Sequence, residues 1–369
     1  MNKEKKLVIW GIGNFGKKLI YSIDAYGKNK YKIVALIDKN YEIEKEIGGY
    51  EVFAPSEITK VQYDEIVIAS NKYFNEIEKQ LTDEFKVDKE KIRTFSEVYD
   101  PIIKKEIEKK YRTSPDVEIK KIISYWKENK ISIFNHRENK ECMYYEVMYD
   151  KEKDAPYIYF EGKKMYYPKE YDYFIEKNGK LYLKNVLEAE QYEGSPHLYI
   201  SGNHKINKGD VVVDAGAAEG NFSLRYIDLI SKLYIIECDS KWMKALKMTF
   251  EPYNEKVVFV EKKLSDMVGE DSITLDDLLN CEKEINFIKM DIESAETSAL
   301  IGGIDILKRS NAKLSICAYH RTYDEKNIRF ILESLGYNVS TSEGYMYFFY
   351  DEQIERTLDF RHGVVYGYR

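Results

Sequence analysis

Three segments in the second half of the chain each begin as an apolar run and end in small or acidic residues. They are VVVDAGAAEGNFSL from Val211 to Leu224, LYIIECDS from Leu233 to Ser240, and FIKMDIESAE from Phe287 to Glu296. Continuous apolar runs are typical of parallel strands buried on both faces, and such sheets present ligand crevices at the carboxyl ends of their strands. The order of these segments predicts a doubly wound, mostly parallel α/β sheet with antiparallel closing strands.

The turn after the first of these strands reads D-x-G-x-x-x-G and contains Asp214, Gly216 and Gly220. Gly216 has no Cβ, so we expect a ligand to approach the backbone there. Asp214 is suited to an ammonium group, directly or through water, and the N–H groups of a helix beginning near Asn221 are suited to a carboxylate. Glu237 ends the second strand, where an acid accepts the protons of both ribose hydroxyls. S-adenosylmethionine carries all three groups, so the pattern predicts this cofactor rather than a dinucleotide.

The next strand lies in VVFVEKKLSD, from Val257 to Asp266. It is followed by Leu264, Ser265 and Asp266, at the position where this fold usually recognises adenine. There a backbone amide and a polar side chain meet the edge of the ring. The residues predicted to bind the cofactor are Asp214, Gly216, Ala217, Gly220, Asn221, Glu237, Cys238, Leu264, Ser265, Asp266 and Asp291.

Asp291 and His320 end two neighbouring predicted strands, beside the expected position of the donor methyl group. Methyl transfer to oxygen is an in-line displacement during which the hydroxyl proton is usually removed. His320 is the predicted base, because an imidazole titrates near neutral pH, while Asp291 or Glu293 would orient the acceptor or share that role. Asp291, Glu293 and Glu296 offer oxygen ligands for magnesium. However, Glu293 and Glu296 are expected on one helical turn, where such residues more often supply charge at a helix start, so no metal is predicted.

The stretch from about Tyr144 to Arg369 resembles the FkbM family of S-adenosylmethionine-dependent methyltransferases. The matching segments are GDVVVDAGAAEGNFSL, the strand end at Glu237, IKMDIESAE, YHRTYD with His320 and Asp324, and SPHLY. Two motifs depart from the family's commoner forms: D-x-G-A-N-x-G has Ala218 and Glu219 here, and D-x-E-G-x-E has Ser294. The resemblance implies O-methylation of a small molecule such as a sugar, a nucleotide sugar or a glycan precursor. A non-catalytic nucleotide-binding scaffold in glycan assembly is the alternative.

The N-terminal segment KKLVIWGIGNFGKKLI contains G-x-G-x-x-G between a strand pattern and a helical pattern, and Asp38 ends the next strand. This context favours a small Rossmann-like domain, similar to the N-terminal part of some sugar acetyltransferases. The candidate nucleotide-binding residues are Gly11, Gly13, Asn14, Phe15, Gly16 and Asp38. Two interpretations stay open: a nucleotide or nucleotide-sugar site, and a scaffold or dimerisation domain whose glycines serve packing. NAD-dependent oxidoreduction is less favoured, because no apparatus for hydride transfer follows the motif.

The predicted domains are residues 1–100, a helical and tyrosine-rich segment 101–187, and the methyltransferase domain 188–369. Asp100-Pro101 marks the first boundary, two charged helices are expected over 102–112 and 115–130, and Gly162 and Asn178-Gly179 indicate hairpins. The segment 188–204 is expected to fold over the cofactor. It contains Glu190, Glu193 and His197.

Composition excludes several other classes of function. The 369 residues are 44% hydrophobic and 33% charged, and no apolar run approaches the length that crosses a bilayer. With no visible export signal, a cytoplasmic protein is expected. A net charge of -7 argues against a nucleic-acid partner, and the helical middle offers surfaces for a homodimer. The cysteines lie too far apart to indicate a zinc site or a disulfide framework. They are Cys142, Cys238, Cys281 and Cys317.

Overall fold

The computed structural model describes residues 4–134, 144–184 and 187–369. These residues form two compact units. The first contains the chain up to residue 134 together with Tyr347–Phe360, and the second contains residues 144 to 346 together with Arg361–Arg369. Over the described ranges, no helix has the length and apolar character needed to span a bilayer. Cys142 lies outside the described residues, whereas Cys238 and Cys281 are exposed and Cys317 is buried.

The first unit is built on a six-stranded sheet in the order β3-β4-β2-β1-β5-β6, in which every pair except β3-β4 is parallel. The strands are β1 (Lys5–Trp10), β2 (Tyr31–Ile37), β3 (Glu46–Ile47), β4 (Tyr50–Phe53), β5 (Glu65–Ile68) and β6 (Ile92–Thr94). The helices are α1 (Asn14–Ser22), α2 (Phe74–Asp83), α3 (Phe95–Lys110) and α4 (Val117–Trp126), with a π-helix at Ile23–Gly27 and 3₁₀ turns at Pro55–Lys60 and Lys89–Lys91. The apolar runs of β1 and β5 are fully buried at the centre of the sheet.

Helix α3 begins earlier than the sequence predicted, because Thr94 and Glu97 form a capping box at its start. The Thr94 hydroxyl accepts the Glu97 N–H at 3.4 Å, and the Thr94 N–H donates to the Glu97 carboxylate at 2.7 Å. This reciprocal pair satisfies two N–H groups that a helix start leaves without partners. The helix then continues through Asp100-Pro101, where the sequence placed a domain boundary. The prediction that this helix starts at Ile102 is wrong, and Pro101 lies inside it.

A five-stranded antiparallel sheet opens the second unit in the order β10-β11-β7-β8-β9. The strands are β7 (Tyr144–Asp150), β8 (Ala155–Phe160), β9 (Lys163–Tyr166), β10 (Phe174–Lys177) and β11 (Lys180–Lys184). Two tight turns, at Glu161-Gly162 and Asn178-Gly179, have positive φ at both residues, from 48° to 78°. Turns of this kind match the twist of the strands they connect, so the predicted hairpins are present.

The rest of the second unit surrounds a seven-stranded sheet in the order β14-β13-β12-β17-β18-β20-β19. Its strands are β12 (Val211–Ala215), β13 (Lys232–Ile236), β14 (Val257–Val260), β17 (Phe287–Met290), β18 (Lys313–Cys317), β19 (Asn338–Thr341) and β20 (Val364–Tyr368), with a short pair β15 (Lys263–Leu264) and β16 (Ser272–Ile273) beside it. The helices are α5 (Leu187–Gln191), α6 (Asn221–Tyr226), α7 (Ser240–Thr249), α8 (Leu275–Leu278), α9 (Glu296–Ile301), α10 (Ile304–Arg309) and α11 (Asp324–Ser334), with a 3₁₀ turn at Glu251–Lys256. Helix α12 (Ile354–Thr357) belongs to the first unit.

This sheet confirms the predicted α/β fold class, including its antiparallel closing strands. β12 pairs in parallel with β13 and β17, whereas β20 is antiparallel to both of its neighbours. The prediction of a closing strand in YMYFFY is wrong, because that segment contributes only a single bridge between Met346 and Arg361. The carboxyl ends of β12, β13 and β17 therefore meet at one edge of the sheet, as the order of the three segments predicted.

Candidate functional site

Asp214 ends β12 but does not face an open crevice. Its side chain is completely buried, and its carboxylate lies 3.0 Å from Lys289 Nζ on the neighbouring strand β17. The Ser223 hydroxyl donates to the other carboxylate oxygen at 2.6 Å. Burial of an unpaired charge is costly, so a neighbouring lysine and hydroxyl are the natural complement. The structure therefore makes Asp214 part of an internal ion pair. Its contact with a ligand's ammonium, directly or through water, stays a prediction.

The two glycines of the turn are closely packed against other parts of the protein. Gly216 has φ +70°, and a Cβ at this position would overlap the carbonyl oxygen of Asp291. A Cβ on Gly220 would lie 2.7 Å from Leu246 and 2.9 Å from Phe250. The close contact at Gly216 comes from the adjacent strand end, and approach of a ligand to Gly216 stays a prediction. Ala217 is buried.

Helix α6 begins at Asn221, as predicted, directly after Gly220 in the left-handed conformation. It spans six residues and has no side-chain cap at its first turn. The expectation that this helix start receives a carboxylate stays a prediction.

Glu237 follows β13, and its position is fixed by two backbone groups. The Ala218 N–H donates to Oε2 at 3.1 Å, and the Asp239 N–H donates to Oε1 at 2.9 Å. The first bond joins the glycine turn to the end of the next strand. Each carboxylate oxygen can accept more than one hydrogen bond, so the half-buried group keeps acceptor capacity toward a diol.

The three residues predicted at the adenine differ in exposure. Leu264 is buried, Ser265 is half-buried and Asp266 is exposed. The Asp266 carboxylate accepts the Ser298 hydroxyl at 2.8 Å and the Ser265 hydroxyl at 3.1 Å. These hydrogen bonds, that of Ser298 foremost, lower the pKa of Asp266. Cys238 lies exposed next to Glu237. The three residues meet at one loop, and their contact with adenine stays a prediction.

Asp291, at the end of β17, is the centre of a network of aromatic hydroxyls and imidazoles. Tyr199 donates to Oδ2 at 2.8 Å and Tyr319 donates to Oδ1 at 3.3 Å. His197 Nε2 lies 3.4 Å from Oδ2, and His320 Nε2 lies 3.4 Å from Oδ1. The structure therefore brings together the two residues predicted at neighbouring strand ends, Asp291 and His320.

The segment after Asp291 is a turn rather than the predicted helix start. Glu293 and Ser294 have φ of 54° and 78°, and α9 begins only at Glu296. The prediction that Glu293 and Glu296 share one helical turn is wrong. The Glu296 carboxylate accepts the Ile292 N–H at 2.9 Å and is 1% exposed, so it closes the turn from within. By contrast, the Glu293 side chain is 88% exposed and lies 3.8 Å from His320 Nε2.

The charges around His320 shift the pKa of its imidazole. Burial favours the neutral imidazole, but it is outweighed by Glu296, 3.3 Å from Nδ1, and by Asp291 and Glu293, so the pKa of His320 is raised to about 9. Burial raises the pKa of Asp291, but His197, His320 and Lys289 together hold it well below its usual range. A raised pKa favours the protonated imidazole at neutral pH. The role of His320 as a base stays a prediction.

Two acids that the sequence did not assign to catalysis lie in the same region. Burial raises the pKa of Glu190 to about 7, with His197 opposing the shift. The Glu190 carboxylate is 4.0 Å from His197 Nδ1, and 35% of its side chain stays exposed. Burial also raises the pKa of Glu219, which accepts the Tyr171 hydroxyl at 3.2 Å. Glu219 lies in the glycine turn, whose sequence departs from the family's commoner D-x-G-A-N-x-G motif. This departure is the sequence feature that could have drawn attention to Glu219.

Two groups of side chains have the spacing to hold a metal ion among the described residues. One consists of His197, Asp291 and Cys317, and the other of Asp291, Glu296 and His320. In each group the donor atoms lie within 4.8 Å of one another. The sequence offered Asp291, Glu293 and Glu296 as metal ligands. The second group has the buried His320 in place of the exposed Glu293.

The N-terminal glycine motif lies between β1 and α1, as predicted. Gly11 has φ +102°, Gly13 precedes the helix that begins at Asn14, and Gly16 is buried in that helix. The ring centre of the half-buried Phe15 lies 4.7 Å from that of Phe95, and a contact of Phe15 with a nucleotide stays a prediction.

Comparison with known families separates the chain into two matched segments. The model described as "C2185-like, N-terminal" matches residues 3–93, and the methyltransferase FkbM domain matches residues 214–339. No curated protein matches the chain.

Among solved structures, the chain is similar to methyltransferase FkbM from Methylobacillus flagellatus KT. The two are 15% identical, with 99% of this chain and 90% of that chain covered and a TM-score of 0.42. Magnesium protoporphyrin IX methyltransferase from Synechocystis PCC 6803 with bound SAM is 15% identical over 44% of this chain and 74% of that chain, at a TM-score of 0.29. A SAM-dependent methyltransferase from Aquifex aeolicus is 14% identical over 45% and 84%, at a TM-score of 0.28.

The family match falls on the sheet that carries Asp214, Glu237 and Asp291, and it confirms the resemblance inferred from the sequence motifs. The second unit of this chain therefore contains a methyltransferase domain of the FkbM type.

Proposed function

We propose that the protein transfers the methyl group of S-adenosylmethionine to a hydroxyl group of a small molecule, a sugar or glycan precursor being the favoured class. The observation that carries this proposal is the placement of Glu237. Its carboxylate is held by the N–H of Ala218 in the glycine turn and by the N–H of Asp239. A carboxylate fixed at the end of the second strand can accept both hydroxyls of a ribose, and the match to the FkbM methyltransferase domain covers this turn.

The residues around Asp291 would line the site next to the reacting groups. Tyr199, Tyr319, His197 and His320 surround its carboxylate, and both histidines are almost completely buried. Such a network holds its members in fixed orientations, which favours alignment of an acceptor with the donor methyl group. In this proposal His320, as an imidazolium, balances the acids Asp291 and Glu296 and positions Asp291.

The proton of the acceptor requires a different group, and Glu190 is the strongest candidate. A base works best when its pKa lies near the working pH, and the pKa of Glu190 is raised to about 7. Glu237 would hold S-adenosylmethionine, which would supply the methyl group, and Glu190 would take up the proton of the acceptor hydroxyl. The products are a methyl ether and S-adenosylhomocysteine.

Binding of the donor is the direct test of this proposal. Isothermal titration with S-adenosylmethionine should give saturable binding to the whole chain, at least tenfold weaker in Glu237→Gln. The control is Glu282→Gln, since Glu282 bonds to Lys232 and Tyr234 at the opposite end of the same strand. Asp214→Ala is unsuitable, because it disrupts a buried ion pair. Absence of binding, or an equal loss in both variants, would overturn the proposed donor site.

A further inference from the structure

A cavity of about 320 Å³ lies at the carboxyl edge of the first sheet, within the first unit. Its walls include the glycine turn after β1, the end of β2 and one face of α2. The residues used below are Gly13, Asp38, Lys39, Tyr73, Ile77 and Gln80. None of them takes part in the methyltransferase site.

The three glycines of the motif have different reasons to be glycine. A Cβ on Gly16 would overlap the carbonyl oxygen of Gly11, and Gly11 itself has φ +102°. Gly13 has an ordinary φ of -64°, and a Cβ built on it meets no atom within 4 Å. Packing thus explains Gly11 and Gly16 but not Gly13, whose open side faces the cavity.

The Asp38 carboxylate is held in the same way as that of Glu237. The Ile12 N–H of the glycine turn donates to Oδ2 at 3.0 Å, and the Asn40 N–H donates to Oδ1 at 2.8 Å. In both units, therefore, an acid after the second strand bonds to the glycine turn and to the residue two positions further on. The half-buried Asp38 lines the cavity with acceptor capacity remaining.

The walls of the cavity differ in chemistry along its length. Helix α1 starts beside Gly13 with no side-chain cap and no acid in its first turn, which leaves its N–H groups available to an anion. Lys39 Nζ lies 5.5 Å from the centre of the Tyr73 ring. On α2, Ile77 and Gln80 offer an apolar surface and an amide.

We propose that this cavity binds a ribonucleotide carrying a diphosphate. The ribose hydroxyls donate to Asp38, the phosphates lie over Gly13 at the start of α1 near Lys39, and the base lies against Tyr73 and Ile77 within reach of Gln80. This site is separate from the donor site at Glu237. In this proposal the protein has two acids that bind a ribose, Asp38 and Glu237, and each is held by a backbone N–H of a glycine turn. The proposal does not depend on the methyltransferase activity.

The test titrates the whole chain with ADP, GDP, UDP and CDP and with their 2′-deoxy analogues. At least one ribonucleoside diphosphate should bind saturably, and its 2′-deoxy analogue should bind about tenfold more weakly, because one of two hydrogen bonds to Asp38 is lost. Asp38→Asn should weaken binding at least tenfold and remove most of this discrimination. Gly13→Val, with its side chain in the open space, should block binding while the fold stays intact by circular dichroism.

Two controls assign the binding to this cavity. Asp64→Asn alters an acid that accepts the Lys6 N–H at the opposite edge of the same sheet, and it should leave binding unchanged. Glu237→Gln should also leave it unchanged, since the donor site lies elsewhere. The proposal is overturned if no nucleoside diphosphate binds, if Gly13→Val and Asp38→Asn bind as the wild type does, or if Glu237→Gln is the variant that loses binding.

Discussion

Replacing Lys289 with methionine should destabilise the protein far more than the loss of an ordinary surface lysine. Lys289 is 4% exposed, and its ammonium lies 3.0 Å from the Asp214 carboxylate, which is completely buried. Burial alone would lower the pKa of Lys289, but Asp214 and Asp291 raise it, so the lysine is charged. At this separation, with an effective dielectric constant of about 20, the attraction between the two charges is roughly 5 kcal/mol.

Methionine keeps the length and apolar stem of the lysine and removes its charge, leaving Asp214 with only the Ser223 hydroxyl. Removing one partner of a buried pair typically costs about 3–5 kcal/mol, and we expect the free energy of unfolding to fall by that amount. Urea denaturation at pH 7, followed by circular dichroism, measures it. The double variant Asp214→Asn/Lys289→Met should be more stable than Lys289→Met alone, because the uncompensated charge is gone.

The matched control is Lys60→Met, which removes an exposed lysine 2.8 Å from Glu57. Exposed pairs contribute about 0–1 kcal/mol, so this variant should unfold almost as the wild type does. A loss below about 1 kcal/mol for Lys289→Met, equal to that of the control, would refute the assignment of the Asp214–Lys289 pair as a buried structural ion pair.

Three further predictions concern the turns and titrating groups of the second unit. Because the pKa of His320 is about 9 folded and about 6.5 unfolded, its imidazolium stabilises the fold fully below pH 6.5. That contribution, about 3 kcal/mol, is lost as the pH rises through 9, so the stability difference between wild type and His320→Gln in urea should shrink from pH 6 to pH 10. Ala218 and Ser294 have positive φ, of 44° and 78°. Because asparagine and glycine tolerate positive φ better, Ala218→Asn and Ser294→Gly should each raise the free energy of unfolding by about 0.5–1 kcal/mol. Unchanged or lower urea midpoints would contradict backbone strain at these two positions. In the proposed mechanism, kcat/KM rises with pH through about 7 as Glu190 loses its proton. Glu190→Gln should lower kcat by about 10²–10⁴ and abolish this pH dependence. A pH dependence that remains in Glu190→Gln would mean that another group titrates.

The sheet of the second unit was predictable because its strands are continuous apolar runs that end in polar residues. A residue's place in that pattern fixes its strand and its edge of the sheet, so the placement of Glu237, Asp291 and His320 at one edge could be inferred. What lies across from a strand end depends on the neighbouring strand. Asp214 faces Lys289 and Gly216 faces the Asp291 carbonyl, and because both contacts are long-range, the sequence did not reveal them.

Other differences had signals that local reasoning could have used. Thr94-x-x-Glu97 is a capping box that sets the start of α3 before Pro101. The family's commoner glycine at position 294 and asparagine at position 218 are residues that tolerate positive φ, and both positions have it here. The raised pKa of His320 had no local signal, because it depends on Glu296 and Asp291 approaching the imidazole from a different strand end and helix.

Transfer of a labelled methyl group to an acceptor measures the proposed methyltransferase activity itself. The whole protein is incubated at pH 8 with S-adenosylmethionine labelled in its methyl group and with a panel of free sugars and nucleotide sugars. We expect label in a methyl ether of at least one acceptor, together with S-adenosylhomocysteine, and loss of both products in Glu237→Gln but not in Glu282→Gln. Protein that binds S-adenosylmethionine yet labels no acceptor, or label that survives equally in Glu237→Gln, would contradict the account.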